Sequence, residues 1–275
     1  LLMKTPRRTL LEWDLGHVPP GLPWAGVDEA GRGAWAGPVV AACAVLTREA
    51  VERWGHVLQG ARDSKQMAPD KREALAAELK VVLPAWSIAE VDNLAIDREN
   101  ILEATLQAMR KSLREAAIPP RLVFVDGDRA PRSGLPERLL VEGDATSCAV
   151  ACASILAKTH RDARMRELES EAPGYGFDRH KGYGTADHPK ALQIQGAGPW
   201  HRLSYAPVAA LQRPDADLRK QTEAALEACA DVAALQAWVE GVLRPAYGAL
   251  RLAWIEALRQ RYAERLAALA GDAPS

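Results

Sequence analysis

Three short apolar segments that end in acidic residues constrain the fold more than any other feature of this sequence. Residues 24–27 lead into Asp28 and Glu29, residues 121–125 lead into Asp126, and residues 138–141 are followed by Asp144. A short apolar run predicts a buried strand, and its polar exit marks where the chain leaves the core. Helical segments separate the later runs. We therefore predict an α/β fold with a mixed sheet flanked by helices.

The beginning of the sheet is predicted in more detail. Residues 24–30 and 38–46 are joined only by a glycine-rich link, which is too short for a crossover helix, so the two strands should pair antiparallel. A third strand is predicted near residues 54–60 and a further one over 84–91. Helices are predicted over 95–114 and 146–168 from their apolar spacing.

The acidic residues indicate a metal site. Ligands gather at the carboxyl ends of parallel strands, where Asp126 and Asp144 should lie. Carboxylates held close together raise each other's pKa, and a site that keeps them ionised usually holds a cation. An all-oxygen ligand set favours Mg²⁺ or Mn²⁺ over zinc or copper. Two such ions support phosphodiester hydrolysis. The alternative from the residues alone is an acid and base pair of the glycosidase type.

Charge and hydropathy limit the classes of protein that fit. The 275 residues carry a net charge of −1, so any binding of a polyanion must be local. Cations and histidines are concentrated between residues 156 and 202, which favours a polyanionic substrate over a sugar. We find no apolar run of membrane-spanning length and no signal-peptide pattern, and we expect a soluble, cytoplasmic protein. The four cysteines lack the spacing of a zinc site.

Composition changes along the chain predict three regions. Residues 1–22 are interpreted as a loosely packed N-terminal lead-in, residues 23–213 as the catalytic domain, and residues 214–275 as a C-terminal helical extension. The extension carries two apolar stripes at helical spacing, one over 235–243 and one over 250–266. These helices either pack on the domain or bind a partner.

An ordered set of motifs closely resembles bacterial ribonuclease HII. The resemblance covers about residues 26–208, and many short motifs in one order are far more specific than any of them alone. The motifs are Asp28-Glu29-Ala30-Gly31-Arg32-Gly33, Asp63-Ser64-Lys65, Asp126-Gly127, Gly143-Asp144, Ala153-Ser154-Ile155-Leu156-Ala157-Lys158 with Arg161-Asp162, and His180-Lys181-Gly182-Tyr183-Gly184-Thr185.

This resemblance implies a ribonuclease H-like fold and an endonuclease that hydrolyses the RNA strand of RNA/DNA hybrids. It also implies incision on the 5′ side of single ribonucleotides embedded in duplex DNA, leaving 3′-hydroxyl and 5′-phosphate ends. Two Mg²⁺ or Mn²⁺ ions would be bound by the four carboxylates, Asp28, Glu29, Asp126 and Asp144. The 2′-hydroxyl would be recognised by Gly31, Arg32, Gly33 and Tyr183. The phosphate contacts would be Lys65, Lys158, Arg161 and Lys181.

Other interpretations stay open at this point. A ribonuclease HIII-like enzyme would act on ribonucleotide tracts, and a non-catalytic module would bind nucleic acid through the basic segment and the tail helices. Lys158 and Arg161 have a structural alternative, which is to complement the dipole of a helix end. His160 and His188 are interpreted as solvent-facing. We expect a monomer whose partners are RNA/DNA hybrid and ribonucleotide-containing duplex DNA, without a membrane.

Overall fold

The hairpin predicted at the start of the sheet is present. A computed structural model describes residues 9–61, 67–212 and 214–271. Its strands are β1 (Trp24–Ala30), β2 (Val39–Leu46), β3 (Ala85–Val91), β4 (Leu122–Asp126) and β5 (Glu137–Leu140). β1 and β2 pair antiparallel with Val27 opposite Cys43, and β2 continues antiparallel to β3. β4 is parallel to β1 and to β5. The sheet order is therefore β3-β2-β1-β4-β5, a mixed sheet as predicted.

Helices account for most of the remaining chain. They are α1 (Leu10–His17), α2 (Arg48–Leu58), α3 (Pro69–Val82), α4 (Asn93–Glu99), α5 (Ile101–Glu115), α6 (Cys148–Glu171), α7 (Phe177–His180), α8 (Asp187–Gln195), α9 (Ala206–Leu211), α10 (Ala216–Glu227), α11 (Val232–Trp238), α12 (Arg244–Ala246) and α13 (Leu252–Gly271). Among the described residues, no helix is long and apolar enough to cross a membrane.

The chain divides into two compact units. One unit, here called the sheet unit, comprises Leu1–Arg32, Pro38–Asp92 and Ile101–Arg164. The other, here called the helical unit, comprises Gly33–Gly37, Asn93–Asn100 and Met165–Ser275. The helical unit thus includes the C-terminal extension together with the segment before it. The predicted domain boundaries after residues 22 and 213 stay predictions.

Close packing of β1 on α6 organises the core of the sheet unit. A Cβ built on Gly26 would lie 2.1 Å from the backbone carbonyl carbon of Ala149, so strand and helix meet backbone to backbone. The start of α6 is made of small apolar residues that are fully buried, among them Ala149, Val150 and Ala153. Such residues allow the close approach, because nothing larger fits between the two elements.

Three expectations from the sequence need correction. The strand predicted near residues 54–60 is wrong: Thr47 caps the start of α2 by accepting a hydrogen bond from the Ala50 amide, and the segment is helical to Leu58. The lead-in is not loose throughout, because α1 begins with a capping box and its Asp14 is fully buried. The single helix predicted over 95–114 is two helices, which are separated by Asn100 at φ 81°.

The apolar stripes of the extension form the core of the helical unit. Leu235, Trp238 and Leu243 from the first stripe, and Leu250 and Leu258 from the second, belong to one buried cluster. The extension contains more than the two helices of these stripes, since α10 and a π-helical turn over Val239–Leu243 also belong to it. The stripes therefore pack within the chain. This agrees with the packing alternative stated from the sequence.

Candidate active site

Strand register brings acidic residues from β1 and β4 to the same level of the sheet. Val27 lies opposite Val125 in the parallel pair, and the next residues along the two strands are Asp28 and Asp126. Glu29 follows within β1. Asp28 is only 6% exposed, which places its carboxylate at the inner wall of the site. The register thus brings together carboxylates that are almost 100 residues apart in sequence.

The fourth acid, Asp144, is not at a strand end as the sequence suggested. β5 ends at Leu140, and Asp144 lies in the 3-10 turn Gly143–Ala145 that follows. The Asp126 carboxylate fixes this turn by accepting a 2.6 Å hydrogen bond from the Gly143 amide. A Cβ on Gly143 would lie 3.0 Å from the same Asp126 oxygen, so glycine permits the approach. Asp126 therefore positions the residue next to Asp144.

Burial and, to a smaller extent, mutual repulsion disfavour the ionised forms of Asp28 and Glu29. Burial raises the pKa of Asp28 well above its usual value, and the negative charges of Glu29 and Asp126 raise it further. Burial also raises the pKa of Glu29, with Asp126 acting in the same direction and the Arg32 guanidinium opposing it. The Arg32 Nη1 atom lies 3.4 Å from Glu29 Oε1. These carboxylates resist full ionisation unless a positive charge joins them.

Ser154 is a site residue that the sequence reasoning did not single out. Its side chain hydrogen-bonds to Asp28 and lowers the pKa of that carboxyl, as does the Glu29 amide, which donates to Asp28 Oδ1 at 2.6 Å. Ser154 lies on α6, in the motif segment 153–158. The motif was visible, but only the packing of α6 on β1 shows that this hydroxyl reaches the carboxylate.

The donor chemistry of the acids fits a hard divalent cation. All four candidate ligands offer carboxylate oxygens, the ligands that Mg²⁺ and Mn²⁺ prefer. Burial and neighbouring acids raise the pKa values of Asp28 and Glu29, and a bound cation would offset both effects by stabilising the ionised carboxylates. Within residues 9–61, 67–212 and 214–271, however, no three His, Cys, Asp or Glu side chains are gathered as a preformed metal site. The fit therefore rests on donor type and charge.

The glycine at position 31 is required by the packing of Arg161. Gly31 has φ 96°, and a Cβ there would lie 2.0 Å from the Arg161 Nε atom. Arg161 is fully buried, and its Nε donates to the Pro38 carbonyl at 2.9 Å. The enclosed guanidinium group packs directly against the backbone of the turn at Gly31. Its burial argues against the phosphate contact predicted for it.

The other predicted phosphate contacts differ in their surroundings. Lys65 lies outside the described residues. Lys158 is on α6, where its Nζ atom forms a 2.6 Å ion pair with Asp162 and its side chain is 34% exposed. Lys181 has φ 52° and donates from Nζ to the Asp178 carbonyl. Lys158 and Lys181 are thus placed at the surface but already have partners.

Tyr183 and Gly33 both belong to the helical unit, where they lie close together. A Cβ on Gly33 would be 4.0 Å from Tyr183 Cε1, which is ordinary van der Waals contact. The neighbouring Gly182 carbonyl accepts a 2.8 Å hydrogen bond from the Trp35 amide. The segments 33–37 and 180–185 are therefore joined by backbone bonding, and Tyr183 is held beside the glycine with which it was paired on sequence grounds.

Two buried histidines form a hydrogen-bond chain that ends at the Tyr183 backbone carbonyl. The His201 Nδ1 atom accepts from the Gly198 amide at 2.9 Å, so His201 carries its proton on Nε2. That proton is donated to His188 Nε2 at 3.1 Å, and His188 Nδ1 then donates to the Tyr183 carbonyl at 3.0 Å. His188 is fully buried, so its interpretation as solvent-facing was wrong. Burial lowers the pKa of His188 to about 4 and that of His201 to about 3, which keeps both rings neutral.

The sequence model of one family, ribonuclease HII, matches residues 25–208 of this chain. The chain belongs to the ribonuclease HII family. Curated relatives agree with this assignment. Ribonuclease HII of Dechloromonas aromatica is 46% identical over 192 residues, which cover 70% of this chain and 94% of the relative. Ribonuclease HII of Geobacillus kaustophilus is 46% identical over 184 residues, with coverage of 67% and 68%.

Solved structures support the ribonuclease H-like fold. Ribonuclease H2 of Pyrococcus horikoshii matches with a TM-score of 0.60 at 27% identity, covering 70% of this chain and 97% of that one. The ribonuclease HII from Archaeoglobus fulgidus, solved as a complex with PCNA, matches with a TM-score of 0.58 at 25% identity and coverage of 70% and 98%. A ribonuclease HIII solved with Mn²⁺ has a TM-score of 0.54 at 19% identity and coverage of 71% and 70%, and it shows the fold alone.

Membership of the ribonuclease HII family defines the class of reaction. The chain is a hydrolytic endoribonuclease that acts on RNA/DNA hybrids, in a family whose activity depends on metal ions. The glycosidase and non-catalytic alternatives are thereby set aside. The family match also favours ribonuclease HII over the ribonuclease HIII interpretation.

Proposed function

We propose that this protein hydrolyses the RNA strand of hybrids and also incises duplex DNA on the 5′ side of a single embedded ribonucleotide. The products would carry 3′-hydroxyl and 5′-phosphate ends. The observation that carries the proposal is the alignment of Asp28 with Asp126 across the parallel strands, together with the raised pKa values of Asp28 and Glu29. Carboxylates that need a cation at the carboxyl edge of a sheet suit phosphodiester hydrolysis.

Asp28, Glu29, Asp126 and Asp144 would hold two Mg²⁺ or Mn²⁺ ions. When bound, such ions activate water and stabilise the leaving oxygen. The chain's own groups hold the carboxylates in place: Ser154 and the Glu29 amide bind Asp28, and the Gly143 amide binds Asp126. Arg32 balances part of the charge of Glu29. These hydrogen bonds orient the carboxylates before a metal binds. Less side-chain motion is then lost on metal binding.

Recognition of the ribonucleotide is assigned to backbone and ring contacts. Gly31, Arg32 and Gly33 would offer backbone groups to the 2′-hydroxyl, the one group that distinguishes RNA from DNA at a given nucleotide. Tyr183 would stack on the neighbouring sugar, and its backbone is held by the His188 hydrogen bond. The positive φ of Gly31 supports this role, because it turns the backbone in a way that other residues rarely adopt.

Phosphate contacts are assigned to Lys158 and Lys181, which lie at the surface, and to Lys65, for which the prediction rests on sequence alone. Arg161 is assigned a supporting role under Gly31 because of its burial. We further propose that residues 23–213 form the catalytic domain, with 1–22 and 214–275 as a lead-in and an extension, and that the protein acts as a monomer.

A duplex with one ribonucleotide in one DNA strand tests the proposal. We expect incision 5′ of that ribonucleotide with Mg²⁺ or Mn²⁺, and little or none after Asp126→Asn, while binding of the duplex is retained. Asp217→Asn is the matched control, since this acid is 87% exposed on α10, is none of the assigned site residues, and should leave cutting unchanged. Activity on ribonucleotide tracts without incision at single sites would instead support a ribonuclease HIII-like specificity. Unchanged cutting by Asp126→Asn would refute the assigned site.

A further inference from the structure

The sheet unit contains a cleft that is lined by none of the predicted site residues. Its volume is about 420 Å³, and three arginines, Arg110, Arg129 and Arg132, contribute to its wall. The cleft shares Leu102, Leu106, Asp128 and Arg129 with the smaller depression lined by Glu29, Arg32 and Asp126. The two are therefore continuous along one surface of the sheet unit. We call the larger one the arginine cleft.

The loop that carries two of these arginines is fixed by hydrogen bonds. The Glu137 carboxylate accepts from the Arg132 amide at 3.2 Å and from the Ser133 amide and hydroxyl at 2.7 and 2.6 Å. Arg110 Nη1 donates to the Pro131 carbonyl at 3.1 Å, which ties the loop to α5. Arg132 has φ 57°, a conformation that needs such support in a non-glycine residue. These hydrogen bonds therefore hold the loop backbone in one conformation, which fixes the points from which the Arg129 and Arg132 side chains extend.

The residues that line the cleft carry one more positive charge than negative. Two acids, Glu103 and Asp128, line the same cleft against three guanidinium groups. The contact between Arg129 and Asp128 is long, at 3.8 Å, and both side chains are largely exposed, at 67% and 75%. An exposed pair of this kind is weak and yields readily to a stronger partner.

A polyanionic substrate needs cations close to the acidic residues of the active site. Of the cations on α6, Arg161 is enclosed beneath Gly31, and Lys158, which is assigned to a phosphate, shares its charge with Asp162. The net charge of the chain is −1, so long-range attraction of nucleic acid is weak. The arginine cleft lies next to the site and supplies groups that match phosphate geometry, because guanidinium binds phosphate through two parallel hydrogen bonds.

We propose that the arginine cleft binds the phosphates of the nucleic-acid strand that runs on from the scissile phosphodiester. The ligand class is a phosphodiester backbone, which is bound without regard to base sequence. Arg129 and Arg132 contact the phosphates, and Arg110 holds the loop in place through Pro131. This inference rests on the proposed function, since it takes the carboxylates of Glu29 and Asp126 as the place of cleavage.

The test is the salt dependence of binding to a hybrid duplex, measured by fluorescence anisotropy in an Asp126→Asn background that does not cut. Each phosphate contact contributes about 0.7 to 0.9 to the slope of log Kd against log salt concentration. We expect Arg129→Gln/Arg132→Gln to reduce the slope by about 1.4 to 1.8, equally for hybrids of different sequence. Arg129→Lys/Arg132→Lys should keep most of the slope, because the charges remain.

Arg114→Gln/Arg121→Gln is the matched control, because it removes two exposed positive charges from the same unit outside the cleft. Equal slopes for this control and for the cleft double variant would overturn the proposal. If the double variant folds poorly, Arg129→Gln alone alters one largely exposed side chain and should lower the slope by about 0.7 to 0.9. An unchanged slope for that single variant would likewise count against the cleft.

The two proposals fail in different ways. If Asp126→Asn still cuts hybrid, the assigned active site is wrong, whatever the slopes show. If Asp126→Asn abolishes cutting but the cleft variants bind like the control, the active site stands and the arginine cleft does not bind phosphate. In otherwise wild-type protein, the cleft variants should raise KM with little change in kcat, because they remove binding that is uniform between substrate and transition state.

Discussion

The Tyr247 hydroxyl donates a 2.8 Å hydrogen bond to Asp97 inside the helical unit. Asp97 is only 8% exposed and also accepts from the Leu203 amide at 2.8 Å and the Ser204 amide at 2.9 Å. One carboxylate therefore joins the C-terminal extension to the segment around 203–204. That segment begins at Arg202, whose amide donates to the Trp35 carbonyl at 2.8 Å.

Tyr247→Phe should lower the free energy of unfolding by about 1 to 3 kcal/mol, because it leaves a buried carboxylate short of one donor. Urea denaturation followed by circular dichroism measures the change. Tyr262→Phe is the control, since it removes a hydroxyl of the same extension that is only half-buried. If both variants lost the same free energy of unfolding, the hydrogen bond from Tyr247 to Asp97 would contribute no more to stability than the Tyr262 hydroxyl does.

Gly31→Ala should destabilise the protein more than Gly127→Ala. Both glycines have nearly the same backbone conformation, with φ 96° and 97°, but only Gly31 has a neighbour within reach, Arg161 Nε at 2.0 Å from the new Cβ. Alanine at positive φ costs about 1 kcal/mol at either position. The additional loss at position 31 measures the displacement of Arg161. Thermal denaturation of the two variants provides the comparison, and equal melting temperatures would contradict it.

Asp14 should make stability fall as pH rises from about 4 to about 6. Burial raises its pKa from 3.8 to about 6, so the folded chain holds a proton in this window that the unfolded chain has released. Stability therefore decreases through the window and levels off above it. Relative to Asp14→Asn, the wild type should lose about 3 kcal/mol across it, at 1.36 kcal/mol for each pKa unit. Urea denaturation of both proteins at several pH values tests the prediction, which parallel curves would refute.

His188 and His201 should remain neutral between pH 5.5 and 8, because burial lowers their pKa values to about 4 and about 3. Long-range ¹H–¹⁵N NMR spectra should show the proton on Nδ1 of His188 and on Nε2 of His201, with neither ring titrating in this range. The contacts of Tyr183 that depend on these rings should then be constant with pH. A titration of either ring near neutral pH would disprove the hydrogen-bond chain as described.

The features that could be predicted from the sequence depend on local patterns. Apolar runs that end in acid predicted β1 and β4, and the short glycine-rich link predicted the antiparallel pairing of β1 with β2. Asp28, Glu29 and Asp126 followed from those strands. Asp144 lies beyond β5, in a 3-10 turn that depends on the hydrogen bond between Gly143 and Asp126, which no local pattern shows.

The features that could not be predicted depend on contacts between distant segments. Arg161 was predicted to contact phosphate or to complement a helix dipole, yet it is fully buried and fills the space that Gly31 leaves open. His188 was interpreted as exposed, yet it bonds to His201 in the core of the helical unit. The strand predicted near 54–60 reflects the ambiguity of short segments with aromatic and branched residues, such as Trp54 and Val57, which here pack from one face of α2.

The backbone contact between Gly26 and Ala149 has a consequence for how mutations in this enzyme should be interpreted. β1 carries Asp28 and α6 carries Ser154, so the distance between these two side chains is set by how deeply the helix sits on the strand. Any side chain at position 26 would wedge the two elements apart and separate the hydroxyl from the carboxylate. A genetic screen would then score Gly26 as essential for cleavage, although it is none of the residues assigned to metal or nucleic acid.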